Sequence, residues 1–337
     1  MSFVPVNDFR IKWTNRQIKK FEPNTIFYQL GDNSGVSDLV QYGEYRILDP
    51  STNVRRSGRT RNAQGGLTDF TSTDLSNEPG ISFVTVKPNY LQDFSQQVDY
   101  LDLPRVPMNI LAEMLTANEL EAGRWIDDSI VTYLNTGNNI PATNKMAKPS
   151  GTNIAVRIAN GQVYPSAANN SQRNSLRDAV VGIFDFLNTL QADLEADPSL
   201  ANRDTAVPRV IIPPKFKVII DDAITRLGGD TAAGVERIAD RAIRTNAPLG
   251  NPYQFTFKGI DVFTSGNRLI TPSDPGQDFQ VFAFFDTPYD AAVSSRAFWL
   301  DPASALTAKN RMREEIELAV KVTEPRLIYR FDFDAVA

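Results

Sequence analysis

Glu315-Ile316-Glu317-Leu318-Ala319-Val320-Lys321-Val322-Thr323 reads as a strand. Ile316, Leu318, Val320 and Val322 alternate with Glu315, Glu317, Lys321 and Thr323, the period of two that leaves one face buried and one wet. After a turn at Glu324 and Pro325, the residues Leu327, Tyr329, Phe331 and Phe333 alternate again, which predicts an antiparallel pair at the carboxyl end.

Upstream, Val207 to Ile212 and Val281 to Phe285 are unbroken apolar runs of strand length. Pro213 and Pro214 turn the chain into a helix carrying Phe216, Ile219, Ile220, Ala223, Ile224 and Leu227, stopped by Gly228 and Gly229. A second short helix is expected over Ala232 to Arg244. Tyr253 to Phe257 and Ile260 to Thr264 read as strands joined tightly at Lys258 and Gly259, and Phe279 to Phe285 reads as a buried strand.

Two helices dominate the middle. From Pro107 to Thr136, Met108, Leu111, Met114, Leu115, Ala122, Trp125, Ile126 and Leu134 recur at steps of three and four, with Pro107 suited to a first turn and Gly137 to a stop. At 1.5 Å per residue this is a beam of about 40 Å. The second has Ser175 as its expected N-cap, Asp178 in the capping-box position, an apolar face from Leu176 to Leu194, and Pro198 beyond its end. Between the two lies a polar run, Asn138 to Asn174, with a short strand at Ile154 to Ile158 and a domain boundary in or near it.

The front of the chain differs. Short strand pieces are expected at Thr25 to Leu30, Tyr42 to Leu48 and Ile81 to Val86, separated by Asp49 to Gly80, a stretch rich in Ser, Thr, Asn, Gly and Arg. Connections inside compact domains usually run about 4–6 residues, so a segment this long without apolar periodicity projects from the body as a loop, a lid or a disordered insert. The flanking strands make it a long hairpin arm.

Composition narrows the chemistry. With 337 residues, 42% of them hydrophobic, the chain can build a large core, and 35 basic against 40 acidic residues leave a net charge of −5, too small to mark a polyanion-coating protein. It contains no cysteine and no histidine, which removes disulfides, thiolate nucleophiles, Cys- or His-ligated metals and Ser-His-Asp triads. No stretch approaches the roughly 20 apolar residues of a membrane span, and the first twenty residues have no signal-peptide core.

Candidate sites are few. The pairs Asp127/Asp128 and Asp221/Asp222 read as solvated helix-surface charges, since neighbouring helical residues point about 100° apart. Ser273, Asp274, Gln277 and Asp278 read as a turn, because the spacing of a calcium loop is missing. Arg55, Arg56, Arg59 and Arg61 sit together without an acid between them, either docking on an acidic surface of a partner subunit or forming a solvated loop, with nucleic acid as a third reading. Arg10, Lys12, Arg16, Lys19 and Lys20, interrupted by Trp13, touch phosphate, pack on a neighbouring subunit, or form a flexible basic end. No cofactor, metal or catalytic residue is expected.

In order, these pieces resemble the major capsid protein of tailed double-stranded DNA bacteriophages, whose fold is shared with encapsulins. The best local matches are Val210-Ile211-Ile212-Pro213-Pro214-Lys215-Phe216, Phe257-Lys258-Gly259-Ile260-Asp261-Val262-Phe263, and Glu315 to Pro325. The resemblance implies an α+β chain with an amino-terminal arm (1–41), an extended hairpin loop (42–90), a peripheral domain (91–174) with a spine helix at 107–136, a mixed α/β axial domain (175–300), and carboxyl-terminal return strands of the peripheral domain (301–337). It implies a non-enzymatic virion component assembled in the host cytoplasm. Copies of the chain would form pentamers and hexamers around packaged double-stranded DNA, which they contact non-specifically.

A separate scaffolding protein, a portal and a cement protein are further partners the resemblance brings. Lys87, at the base, is the one lysine between Tyr42 and Tyr90, so covalent crosslinking through the hairpin is not expected. The competing readings are an encapsulin-like compartment and a carboxylate-dependent glycan hydrolase.

Overall fold

The computed structural model describes residues 25–48, 83–99, 110–147, 170–196, 208–214, 216–217, 220, 253–266, 279–301 and 309–333. The expected strand Ile154 to Ile158, the helix Ala232 to Arg244, Asp221/Asp222 and the turn at Ser273 to Asp278 lie outside them.

The elements run α1 (Phe27–Leu30), α2 (Val36–Tyr42), β1 (Tyr45–Leu48), β2 (Phe83–Val86), β3 (Tyr90–Asp99), α3 (Ile110–Asn135), β4 (Lys145–Ala147), α4 (Asn170–Ala196), β5 (Arg209–Ile212), β6 (Tyr253–Phe257), β7 (Ile260–Thr264), β8 (Phe279–Phe284), β9 (Tyr289–Asp301), β10 (Lys309–Val322) and β11 (Ile328–Phe333). They form three sheets, β1-β2, β3-β10-β9 and β4-β11-β8-β5-β7-β6. The fold is α+β.

The apolar runs in β5 and β8 follow from burial on both faces of the six-stranded sheet. Val210, Ile212, Val281 and Ala283 face α4, where Ile183, Phe184 and Leu187 meet them. Their neighbours Ile211, Phe282 and Phe284 point the other way, into a core shared with Ile126, Ile130 and Leu134 of α3. The same α3 stripe meets Val293, Ile316, Leu318 and Val320, the inner face of the three-stranded sheet. One helix of 26 residues, about 39 Å long, therefore lies against both sheets.

Local chemistry sets the connections. β6 and β7 are joined by Lys258 and Gly259, both at positive φ (51° and 83°), the two-residue hairpin whose twist matches its strands. Lys258 is ion-paired to Asp185 of α4, which ties the hairpin tip to the helix. α3 stops at Asn135, two residues before Gly137. Asn135 accepts from Arg330 Nη1 at 2.9 Å and donates to Gln280 at 3.0 Å, placing a cation at the negative end of the helix.

Four expectations are corrected. The tail strands do not pair with each other. β10 lies between β3 and β9, while β11 joins β8 and β4. Pro325 opens a single 3-10 turn, and Leu327 O accepts from Phe285 N, so the chain crosses from one sheet to the other instead of folding back. Thr25 to Leu30 is not a strand. Its backbone donors go to a side chain on α3, and Phe27–Leu30 closes as one helical turn. Tyr42 ends a helix, with the strand starting only at Tyr45. Ser175 is no N-cap, because α4 already begins at Asn170.

Because Ile130 is fully buried between the sheets, Ile130→Ala should cost about 2–5 kcal/mol, whereas Leu91→Ala, on an exposed side chain, should stay within about 0.5 kcal/mol. Urea unfolding midpoints at constant m-value check both.

Candidate assembly interface

The arm expected from the sequence has its root in the structure. β1 and β2 form an antiparallel ladder from Tyr45↔Val86 to Leu48↔Phe83, so Leu48 and Phe83, the two ends that flank residues 49–82, stand opposite each other. The root is apolar on one side only. Tyr45 and Val86 are buried with Val36, Leu39 and Val40 of α2 against Ala292 and Ala319, on the outer face of the three-stranded sheet. Small residues at 292 and 319 let α2 and β1 lie close. Farther out, burial ends, and Phe83 is 60% exposed, as are Tyr42 (69%) and Leu91 (55%) nearby in the chain. Lys87 pairs with Glu44 at 3.5 Å across the base.

The seat of Tyr45 is tight. Gly35 has ordinary helical backbone angles, yet a Cβ there would meet the Tyr45 ring at 2.5 Å. The glycine is required by close approach. Burial, with Asp290 and Asp32 nearby, pushes the Tyr45 hydroxyl well above its usual range.

A buried carboxylate and a backbone bridge hold the segment leading to this root. Asp127 of α3 is buried and accepts from Ile26 N (2.8 Å) and Tyr28 N (3.2 Å). It caps α1 across about a hundred residues of sequence, accepting from backbone donors that would otherwise be orphaned. The expectation that Asp127 is a solvated surface charge is thus corrected. Asp32 forms a parallel bridge with Asp290, in which Asp32 N donates to Tyr289 O and Ala291 N to Asp32 O, both at 2.9 Å.

Burial pushes Asp127 up to about 7, against the lowering pull of the backbone donors. Burial, then the charge of Asp32, pushes Asp290 up to about 7. In both cases the fold holds a proton that the unfolded chain has released.

The nine basic residues singled out in the sequence, Arg55, Arg56, Arg59 and Arg61 and Arg10, Lys12, Arg16, Lys19 and Lys20, all lie outside the described residues. Reasoning from the sequence missed Asp127, Gly35 and the Asp32–Asp290 pair. Only Asp127 carried a signal. It stands four residues before Val131 and seven before Leu134, on the stripe that is buried.

Chemically the arrangement binds and braces. Among the described residues no three His, Cys, Asp or Glu side chains gather to hold a metal, and no helix is long and apolar enough to cross a membrane.

No protein-family model matches the chain, and no curated protein is similar to it in sequence. Solved structures are similar in arrangement. The bacteriophage PhiM1 mature capsid shares 14% identity over 91% of this chain and 86% of that one, with a TM-score of 0.49. Mycobacterium phage Che8 shares 14% over 91% and 90%, at 0.48. The holo-SrpI encapsulin complex from Synechococcus elongatus PCC 7942 shares 11% over 88% and 82%, at 0.44. At these identities and scores the likeness is one of chain course, and the functional reading rests on this chain's own residues.

Gly35→Ala should cost about 1–3 kcal/mol by overpacking against Tyr45, and should speed amide exchange in Tyr45–Leu48 before the rest of the sheet. A group whose folded pKa is raised contributes fully below its unfolded value, near 3.8 here, and loses that contribution as pH rises through about 7. Urea stability should therefore fall between about pH 4 and 7, by at most about 1.4 kcal/mol per pH unit for each group. Asp127→Asn should flatten the slope, and an unchanged slope would show that Asp127 does not titrate in this range.

Proposed function

We propose that this chain is a non-enzymatic shell subunit that assembles into an icosahedral phage head enclosing double-stranded DNA. The observation that carries the reading is the hairpin root. A two-stranded ladder is seated on the body at Tyr45 and Val86, and its far end is exposed at Phe83. From there it passes into residues 49–82, which are polar and arginine-rich with few apolar side chains. A segment that cannot bury itself is ordered by a partner, and one projection reaching one neighbour is a head-to-tail contact, which closes rings or shells when repeated.

The remaining roles follow. α3 with the β3-β10-β9 sheet serves as the peripheral part, and residues 175–300 supply most of the axial part around the fivefold and sixfold axes. The basic amino-terminal segment, Arg10 to Lys20, lies against a neighbouring subunit or the packaged DNA. A separate scaffolding protein and a portal complete the head. Lys87, tied to Glu44 at the base, leaves non-covalent contacts to hold the shell.

Negative-stain images of the purified chain, alone and with its scaffold, should show rings or closed shells. A strictly monomeric species under all assembly conditions overturns the proposal. Shells recovered with an enzyme cargo and no nucleic acid would move it to an encapsulin-like compartment.

Deleting Ser51 to Asn77 should leave the urea midpoint within about 1 kcal/mol of the parent, as for other surface changes, while abolishing shell closure. Undiminished shell yield would show that the arm is not the contact.

A further inference from the structure

Asp32 and Asp290 bring two carboxyl groups to one point of the fold. The backbone bridge between them joins the turn after α1 to the start of β9. Asp290 is 6% exposed, its Oδ2 has no hydrogen-bond partner, and the charge of Asp32 acts on it. Neither carboxylate forms an ion pair among the described residues. Lys321 stands opposite Asp290 in the β9–β10 ladder, yet it is not one of the charges that act on Asp290. Two neutral oxygens near the pair are also without partners. Side chains two apart on a strand share a face, so Asp290 lies on the side of Ala292, in whose cluster Tyr45 is packed. Tyr45 is 3% exposed, its hydroxyl is unpartnered, and the acids that act on it are Asp290 and then Asp32. Asn33 Oδ1, on the residue after Asp32, is buried and unpartnered as well.

The turn that carries Asp32 and Asn33 is clamped at both ends. A Cβ at Gly31 would meet the Tyr289 ring at 2.7 Å, and one at Gly35 would meet the Tyr45 ring at 2.5 Å, so the oxygens between them have little freedom to turn away. A buried carboxylate without a partner is costly. Oxygens alone, in a chain with neither histidine nor cysteine, suit a hard cation, and a charge of +2 balances two carboxylates. Calcium accepts irregular sets of about six to eight oxygens, amide and water among them, whereas magnesium demands near-octahedral order. Asp32 is exposed, which leaves a way in for an ion and for the waters that complete its shell. We propose that Asp32, Asp290 and Asn33 Oδ1 form a binding site for one calcium ion beside Tyr45, which pins the turn after α1 to β9. These residues belong to one chain, so the site is independent of assembly and of the shell reading above.

The test titrates calcium chloride calorimetrically into the full-length chain, freed of metal with a chelator and held at about pH 8, where carboxylates are ionised. Asp32→Asn and Asp290→Asn are compared with Glu121→Gln, which alters an exposed carboxylate elsewhere. The parent and Glu121→Gln should bind one ion per chain with a Kd on the order of 0.1–1 mM. Each of the two Asp→Asn variants should bind at least about tenfold more weakly. Because Asp32 is exposed, its variant tests the site even where Asp290→Asn fails to fold. Calcium chloride should also raise the urea midpoint of the parent and leave that of Asp32→Asn unmoved. Three results overturn the proposal. A folded parent that binds no calcium leaves a proton as what neutralises Asp290. Undiminished binding by Asp32→Asn puts the ion elsewhere on the chain. Binding of magnesium chloride but not calcium chloride makes the choice of ion wrong.

Discussion

The structure depends on α3 being apolar around enough of its surface to serve two sheets at once. Ile126, Ile130 and Leu134 meet Phe282 and Phe284 from the six-stranded sheet and Leu318 and Val320 from the three-stranded one, within a single cluster. Without that helix each sheet would lose most of the cover on one apolar face, which the short α1 shares. The helix also fixes the front of the chain. Asp127 sits on its buried stripe and captures the backbone of Ile26 and Tyr28, and Phe27 then packs edge to face on Phe282 and Phe284. A buried carboxylate is costly unless its oxygens are satisfied, so the capture of α1 and the burial of Asp127 stabilise each other.

Where burial is one-sided or complete, the sequence announces it. β10 alternates because one face meets α3, and β5 and β8 run apolar because both faces are covered. The hairpin at Lys258 and Gly259 and the long α3 were legible for similarly local reasons. What failed was pairing. Nothing in the alternation of Ile316 to Phe333 distinguishes two strands of one sheet from two strands in different sheets, because each needs only some apolar partner. β3 and β9 went unseen as strands of 10 and 13 residues. β9 mixes Asp290, Ser294 and Ser295 with apolar positions and bulges opposite Glu315/Ile316, which breaks the period. β3 has polar Gln, Asp and Ser at most positions because its outer face is wet.

The candidate site was legible only as a deficit. Asp49 to Gly80 could be read as a segment without a home, and the antiparallel ladder at its root is where the flanking strands were expected to meet. The seat of that ladder was not readable. Gly35 beneath Tyr45 and Asp32 beside Asp290 are contacts made by the fold, between residues whose neighbours in sequence give no hint of them. The anchor of the β1–β2 ladder is thus written in tertiary packing.

Root and edge strand together show where the described body is left open. A soluble monomer protects a long edge strand by shortening it, charging it or covering it. β3 is long and has only Asp93 and Asp99 as charges, Asp93 being neutralised by Arg313. Beside it Phe94 and Trp125 of α3 meet edge to face, and elsewhere on the same body stands the β1–β2 ladder, exposed at Phe83. Each is a liability in an isolated chain.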